Sequence, residues 1–268
     1  MRNHPLLAAV TCLLLLPGCA AANADDAVAD ETTTAESEWT ALFDGESLDG
    51  WAVRCLPGDV DKVFWSVEDG ELVANSMERG DHGYIWLIHE QELTDFELRL
   101  KFKADRDSPG NSGIQIRSRW DPDDGEGWLN GPQIDLHPPA PFRTGFIYDE
   151  TRGHQRWIHP SLPDWNIRRA QAFPPDGAYP EGWRFAYDGD DTFDVWNTLV
   201  IRCVGTQITT TLNGLTISDY DGEGVLDDEH HEAADCGMAG QIALQLHAND
   251  ELHLRFKDIE VREIGEME

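Results

Sequence analysis

From Trp39 onward the chain alternates apolar and polar residues in short runs. In "DFELRLKFK", Phe96, Leu98, Leu100 and Phe102 fall on one parity and Glu97, Arg99, Lys101 and Lys103 on the other. Side chains on a strand point alternately to opposite faces, so this run predicts a strand with one buried face. "FWSVEDGELVA" predicts a hairpin turning at Asp69-Gly70, since both central residues of such a turn need positive φ. "WNTLVIRCVGTQITTTLNGLTISDY" predicts three strands, broken at Val204-Gly205 and Asn213-Gly214. "GQIALQLHANDELHLRFKDIEVREI" predicts two more, turning at Asn249-Asp250. No stretch sustains a helical period and no internal repeat is present. Many short strands with regular turn signals predict an all-β fold, a sandwich or barrel. Residues 39–268 read as a single domain. Within it, residues 138–194 form a Pro-rich aromatic excursion with Trp157, Trp165, Phe173, Tyr179, Trp183, Phe185 and Tyr187. A loop of this length either shapes a site or covers a sheet edge.

Three predicted strands carry unusual polar residues opposite their apolar ones. "GNSGIQIRSRW" sets Gln115, Arg117 and Arg119 against Ile114 and Ile116. "GPQIDLHP" sets Gln133 and Asp135 against Ile134 and Leu136, and "GQIALQLHAN" sets Gln245 and His247 against Leu244 and Leu246. An ordinary solvated face carries Lys, Glu and Thr, as in "ELRLKFK". Amide, guanidinium, carboxylate and imidazole groups are directional donors and acceptors suited to a polyol. The expectation is a polar binding floor roofed by the aromatic loop, with a plain solvated face as the alternative.

The chain has 51 Asp and Glu against 20 Lys and Arg, a formal net charge of -31. Such a surface repels phosphates, which sets nucleic-acid binding aside. At the N-terminus, Arg2 and the apolar Leu6–Leu16 read as an export signal too short for a membrane span. "LLPGC" resembles a lipobox, so residues 1–19 read as a lipoprotein-type signal with Cys19 as the lipidated residue. Ordinary cleavage at Ala20 to Ala22 is the alternative. Residues 20–38 read as an acidic disordered tether. The protein is thus expected to be exported to the periplasm or cell envelope, touching membrane by its lipid anchor only. Of the remaining cysteines, Cys203 reads as core, whereas Cys55 and Cys236 sit in loop-like sequence where they could pair. No Cys-x-x-Cys or dinucleotide fingerprint is present, so no cofactor is expected. "DPDDGEG" (Asp121–Gly127), "DGDDTFD" and "DGEGVLDDE" read as solvated acidic turns, with a structural calcium as the alternative. Asp135, His137 and His247 have ligand chemistry but no metal-site spacing.

Taken in order, "ALFDGESLDGW", "FWSVEDGELVA", "DFELRLKFK", "GNSGIQIRS", "GPQIDL", "RTGFIYDE", "WNTLVIRCVGTQITTTLNG" and "QIALQLHANDELHLRFKDIEVREI" resemble the 3-keto-disaccharide hydrolase domain family across Trp39 to Ile264. The resemblance implies a concanavalin A-like jelly-roll β-sandwich of two antiparallel sheets. It also implies an exported enzyme cleaving glycosides or disaccharides whose sugar bears a ketone at carbon 3. That ketone acidifies the hydrogen on carbon 2. A base removes it, the substituent on carbon 1 is eliminated, and water adds. Such chemistry needs a base, an acid and donors for the oxyanion.

On this resemblance Asp135 is the expected base and Glu150 the second carboxyl. His247 is an acid or base, and Arg117 the cation holding the enediolate. Asn111, Gln115, Gln133, His137, Tyr148 and Gln245 would bind substrate. Each has a plainer alternative: an Asp135–Arg117 ion pair, a hydrogen-bonding His247, a turn at Asn111. The chain departs from the family pattern at Gly131-Pro132, where a carboxylate is usual, and at Ala248-Asn249, where two glycines are usual. Two further readings stay open. One is a carbohydrate-binding module on the same fold; the other is a two-carboxylate glycosidase, although "QIDLHP" lacks the flanking glutamates of that motif. A surface interaction protein using the acidic loops is a third class. The sequence leaves the oligomeric state open.

Overall fold

A computed structural model describes residues 38–125, 127–137, 143–159 and 195–265, and the side chains of residues 106–109 are not described. The signal segment, Cys19, the tether to residue 37 and most of the aromatic excursion, residues 160–194, lie outside the described residues.

Two antiparallel sheets make up the fold. One runs β14 (Leu215–Asp221), β13 (Gln207–Leu212), β12 (Asn197–Val204), β6 (Phe96–Pro109), β16 (Leu252–Glu263), β4 (Glu71–Asn75), β3 (Trp65–Glu68), with β1 (Thr40–Ala41) added to β16. The other runs β11 (Arg156–His159), β10 (Ile147–Asp149), β9 (Pro132–Leu136), β7 (Ser112–Asp121), β15 (Gly240–Leu246), β5 (Ile85–Leu93), β2 (Trp51–Arg54), with β8 (Trp128–Asn130) paired to β7. The all-β expectation holds, as do the turns. Asp69 and Gly70 take φ of 52° and 79°, Asn213 and Gly214 49° and 84°, and Asn249 60°. These values are the left-handed conformations that Asn, Asp and Gly tolerate best.

The core lies where the alternating residues of the two sheets meet. Phe96, Leu98, Leu100 and Phe102 of β6 join Ile114, Ile116, Ile134, Ile147, Leu244 and Leu246 of the other sheet in one cluster, each buried. Burying one such side chain contributes about 1.5–3 kcal/mol, so the apolar parity of each strand decides which face turns inward. Cys203 is part of this cluster. Cys55 and Cys236 are free thiols, correcting the pairing considered from sequence. Cys55 packs against the core, whereas the Cys236 Sγ lies 3.8 Å from Thr151 Oγ1.

Strict alternation fails at Arg117. Gln115 pairs with Ala243 and Ser118 with Gln241, so two residues of β7 oppose one of β15. This is a β-bulge, and Arg117 takes φ +48°. Gln115 and Ser118 therefore share a face, and the Ser118 hydroxyl donates to Gln115 Oε1 at 2.7 Å. Arg117 turns the other way and is fully buried. Its guanidinium donates to Thr94 O (2.6 Å), Gly205 O (2.6 Å) and Asp95 Oδ1 (2.9 Å). It thus ties the β5–β6 turn to the β12–β13 turn. Arg119 is paired with Glu92 and Asp235.

The acidic "DGEGVLDDE" ends not in a turn but at a helix. Asp228 caps α1 (Glu229–Ala233), accepting from the His230 and His231 N–H groups. Buried His231 then bridges Asp228 Oδ1 (2.8 Å) and Asp149 Oδ1 (3.2 Å), fastening α1 to the end of β10. In "DPDDGEG", Asp121 Oδ1 accepts the Asp123 and Asp124 N–H groups, and Asp124 is bound by Arg152. Among the described residues no group of three or more His, Cys, Asp or Glu is arranged to hold a metal ion.

Replacing Arg117 by Met leaves three acceptors without their charged donor, and should cost about 3 kcal/mol. Urea unfolding of the Arg117→Met variant checks this. Any sugar chemistry per folded molecule should persist, because the guanidinium points away from the polar face.

Candidate active site

On the side of the second sheet facing away from the core, β9, β7 and β15 lie next to one another. Gly113 pairs with Asp135, and Gln115 pairs with both Gln133 and Ala243. The three polar runs therefore form one floor. Gly113 makes it possible: a Cβ there would lie 2.2 Å from the Gln133 Cδ. The Gln133 amide lies across the strand where no side chain stands. Gln115 is held by Ser118 and donates weakly to Leu129 O at 3.4 Å. Gln245 is fully buried, yet among the described residues neither its Oε1 nor its Nε2 has a partner, and Gln133 Oε1 has none either. Unmet buried amides each cost roughly 1–3 kcal/mol, a cost that a bound polar group or water would relieve.

Asp135 stands beside this floor. Burial pushes its carboxyl up to about 6, although Arg143 pulls it down. The Arg143 Nε donates to Asp135 Oδ2 at 2.8 Å, and its Nη2 donates to Asn111 Oδ1 at 2.9 Å. The Asn111 N–H donates to Asp250 Oδ2 at 3.1 Å. Asp250 lies 3.5 Å from His247 Nδ1, and His247 Nε2 lies 3.4 Å from the Tyr84 hydroxyl. A continuous polar chain thus runs from Asp135 to His247. Burial lowers the His247 pKa against the pull of Asp250, which keeps the ring neutral near neutral pH.

Glu150 follows β10 directly. Its N–H donates to Gly131 O (3.0 Å) and its carbonyl accepts from Trp128 Nε1 (2.6 Å), so the backbone is held on both sides. Its buried carboxyl makes no hydrogen bond among the described residues. Burial first, then the charges of Asp135 and Asp149, push Glu150 up to about 8 against Arg152. Tyr148 pairs in register with Gln133 and shares its face, with Trp157 edge-on at 5.0 Å. Tyr84 packs edge-on to Trp128 at 5.0 Å and parallel to Trp86 at 5.9 Å, giving an aromatic wall.

The structure therefore brings together Asp135, Glu150, Tyr148, Asn111, Gln115, Gln133, Gln245 and His247. His137 is buried at the end of β9, its N–H bound to Thr144 Oγ1. Arg117 is not in the site, and the cation beside Asp135 is Arg143 instead. The arginine of "RTGFIYDE" was the available signal, but only the backbone pairing of residues 143–146 with residues 135–137 sets it beside Asp135. Tyr84, Trp128 and Asp250 were also missed. They come from segments whose sequence reads as ordinary core or turn.

A family profile described as the 3-keto-alpha-glucoside-1,2-lyase-like domain matches residues 38–262. The chain belongs to this family. A search among curated proteins found no match. Among solved structures, a protein provisionally named a glycosyl hydrolase from Parabacteroides distasonis ATCC 8503 is 16% identical. The alignment covers 85% of this chain and 94% of that one, with a TM-score of 0.51. A Bacillus subtilis protein of unknown function with a galectin-like fold is 13% identical over 84% and 94%, TM-score 0.51. A structure from work on endo-acting O-glycanases of the human gut microbiota is 12% identical over 86% and 100%, TM-score 0.50. At these identities the likeness is one of fold, and it fits the jelly-roll sandwich expected from sequence. Family membership makes this a carbohydrate-active domain.

An acid whose folded pKa is raised binds more protons folded than unfolded between the two values. Stability therefore falls as pH rises from the ordinary 4.5 of Glu150 to about 8. Glu150→Gln removes that loss. Its melting temperature should exceed the parent's by roughly 3–6 °C at alkaline pH and differ little in the acidic range. Differential scanning calorimetry across pH checks this.

Proposed function

We propose that this protein cleaves glycosides or disaccharides whose sugar carries a ketone at carbon 3, by proton abstraction at carbon 2, elimination at carbon 1 and hydration. The observation that carries the reading is the pair of buried carboxyls on one polar face, with titration set apart by their surroundings. Asp135, at about 6 and held by Arg143, is ionised near neutral pH and suits a base. Glu150, at about 8, still holds its proton there and suits an acid. Two carboxyls tuned apart by burial and neighbours divide acid and base roles.

In this scheme Asp135 takes the carbon 2 proton, and Glu150 delivers its own to the oxygen leaving carbon 1. Water then adds at carbon 1. Asn111 holds a hydroxyl, the amides of Gln133 and Gln245 line the floor beneath the sugar, and Tyr84, partly exposed and backed by the buried Trp128, offers its ring. No cofactor enters the scheme. The N-terminal segment supports export to the cell envelope with a lipid anchor at Cys19. Sugar binding without chemistry is the second reading, favoured by the unpartnered floor amides alone.

The test is release of a chromogenic aglycone from a 3-keto-glucoside, with the parent glucoside beside it. Release should come from the keto compound only, and Asp135→Asn should lower kcat/KM by roughly 10³-fold. With a sugar leaving group the pH profile of kcat/KM should be bell-shaped, its limbs near the apparent values of about 6 and about 8, whereas with nitrophenol only the limb near 6 should remain. Glu150→Gln should matter little for nitrophenol and far more for a sugar leaving group, which needs the proton. Release from both glucosides would replace this reading with ordinary glycoside hydrolysis. Release from neither, with calorimetric sugar binding, would replace it with recognition alone.

A further inference from the structure

Removing the carbon 2 proton places negative charge on the carbon 3 oxygen, and a preorganised donor must meet it. The cation expected for this task, Arg117, points into the sandwich. Arg143 is committed to Asp135 and Asn111, and its charge is matched by the Asp135 carboxylate. The amides of Gln115, Gln133 and Gln245 are sunk in the floor.

Tyr148 is differently placed. It lies on β10 opposite Gln133 in register, and the Glu150 N–H bond to Gly131 O carries the pairing with the β9 side of the chain one residue past the strand end, two residues beyond Tyr148. Its side chain is partly exposed, and its hydroxyl makes no hydrogen bond among the described residues. Trp157 braces the ring edge-on at 5.0 Å, and Phe146 braces Trp157 at 6.3 Å. The result is a braced phenol whose O–H has no partner among the described residues and which feels the charges of both Glu150 and Asp135.

We infer that Tyr148 is a catalytic residue, the hydrogen-bond donor to the enediolate oxygen at carbon 3. This rests on the reading above and adds the group that stabilises its intermediate. As the carbon 2–hydrogen bond breaks, the proton passes to Asp135, and its electron pair forms the carbon 2–carbon 3 double bond. The ketone π pair moves to the oxygen, which accepts the Tyr148 hydrogen bond while the phenol keeps its proton. When the ketone re-forms, the pair makes the carbon 1–carbon 2 double bond. The carbon 1–oxygen bond breaks, and the leaving oxygen takes the Glu150 proton. Burial, with Glu150, Tyr84, Asp149 and Asp135 nearby, raises the Tyr148 pKa, so the donor stays protonated throughout the working range.

The experiment separates proton abstraction from cleavage by using a 3-keto C-glucoside, in which carbon replaces the glycosidic oxygen and nothing can leave. Deuterium entry at carbon 2 in D2O, followed by NMR, reads enediolate formation alone. The parent should exchange and Asp135→Asn should not. Tyr148→Phe keeps the ring against Trp157 and should slow exchange about 10²-fold, with Kd for the C-glucoside changed only a few-fold. Fluorotyrosine at position 148, a more acidic donor in the same packing, should restore exchange to at least the parent rate. Exchange by Tyr148→Phe at the parent rate would overturn the role of Tyr148 while leaving the proposed reaction standing. No exchange by the parent itself would overturn both.

Discussion

The extra residue at Ile116–Arg117 sets what both faces of β7 present, and through them the site. Without it, strict alternation would place Arg117 on the polar face beside Gln115 and turn Ser118 inward. With it, Ser118 secures the Gln115 amide from the same side, and the arginine crosses the end of the sandwich to three backbone and carboxylate acceptors. A buried guanidinium is tolerable only when its donors are met, and Thr94, Asp95 and Gly205 meet them. Gly240, φ +145°, packs against the bulge where a Cβ would lie 2.6 Å from the Arg117 carbonyl carbon. One local irregularity thus ties the two sheets together and takes the Arg117 charge off the floor.

With Arg117 turned away, burial and Arg143 govern the electrostatics of the site. The protein is strongly acidic, and burial raises the cost of ionising both Asp135 and Glu150, with the Asp135 charge adding to the cost for Glu150. Arg143 offsets that cost for Asp135 alone, which is why the two carboxyls titrate apart. Glu150 is instead held through its backbone, by Gly131 and Trp128. A carboxyl positioned by its main chain keeps its own oxygens free for chemistry. The price is stability at alkaline pH, the usual exchange between a tuned site and a comfortable one.

The edge of the site depends on a second buried pairing. His231 lies between Asp228 and Asp149, and both carboxylates raise its pKa against burial. The clamp fixes the end of the short strand that carries Tyr148 and leads into Glu150. It connects a five-residue helix, too short to be stable alone, to the strand whose side chains face the polar floor.

The sequence by itself determined the all-β architecture, the inward parity of each strand and the hairpin turns. Period-two patterning and positive-φ turn residues act locally, and "DFELRLKFK" or Asp69-Gly70 needs no distant partner to be legible. It also marked Gln115, Gln133, Asp135, Gln245 and His247 as polar groups that a solvated face would not need. The tertiary structure alone decided that their strands are neighbours, because strand order is set by pairing between segments far apart in the chain. It alone turned Arg117 inward, because a bulge depends on the partner strand's register. It also substituted Arg143 as the partner of Asp135, since backbone pairing between residues 135–137 and 143–146 sets that contact and no periodicity records it. The carboxyl pKa values belong to the same class, because burial and neighbouring charge exist only once the fold has closed around them.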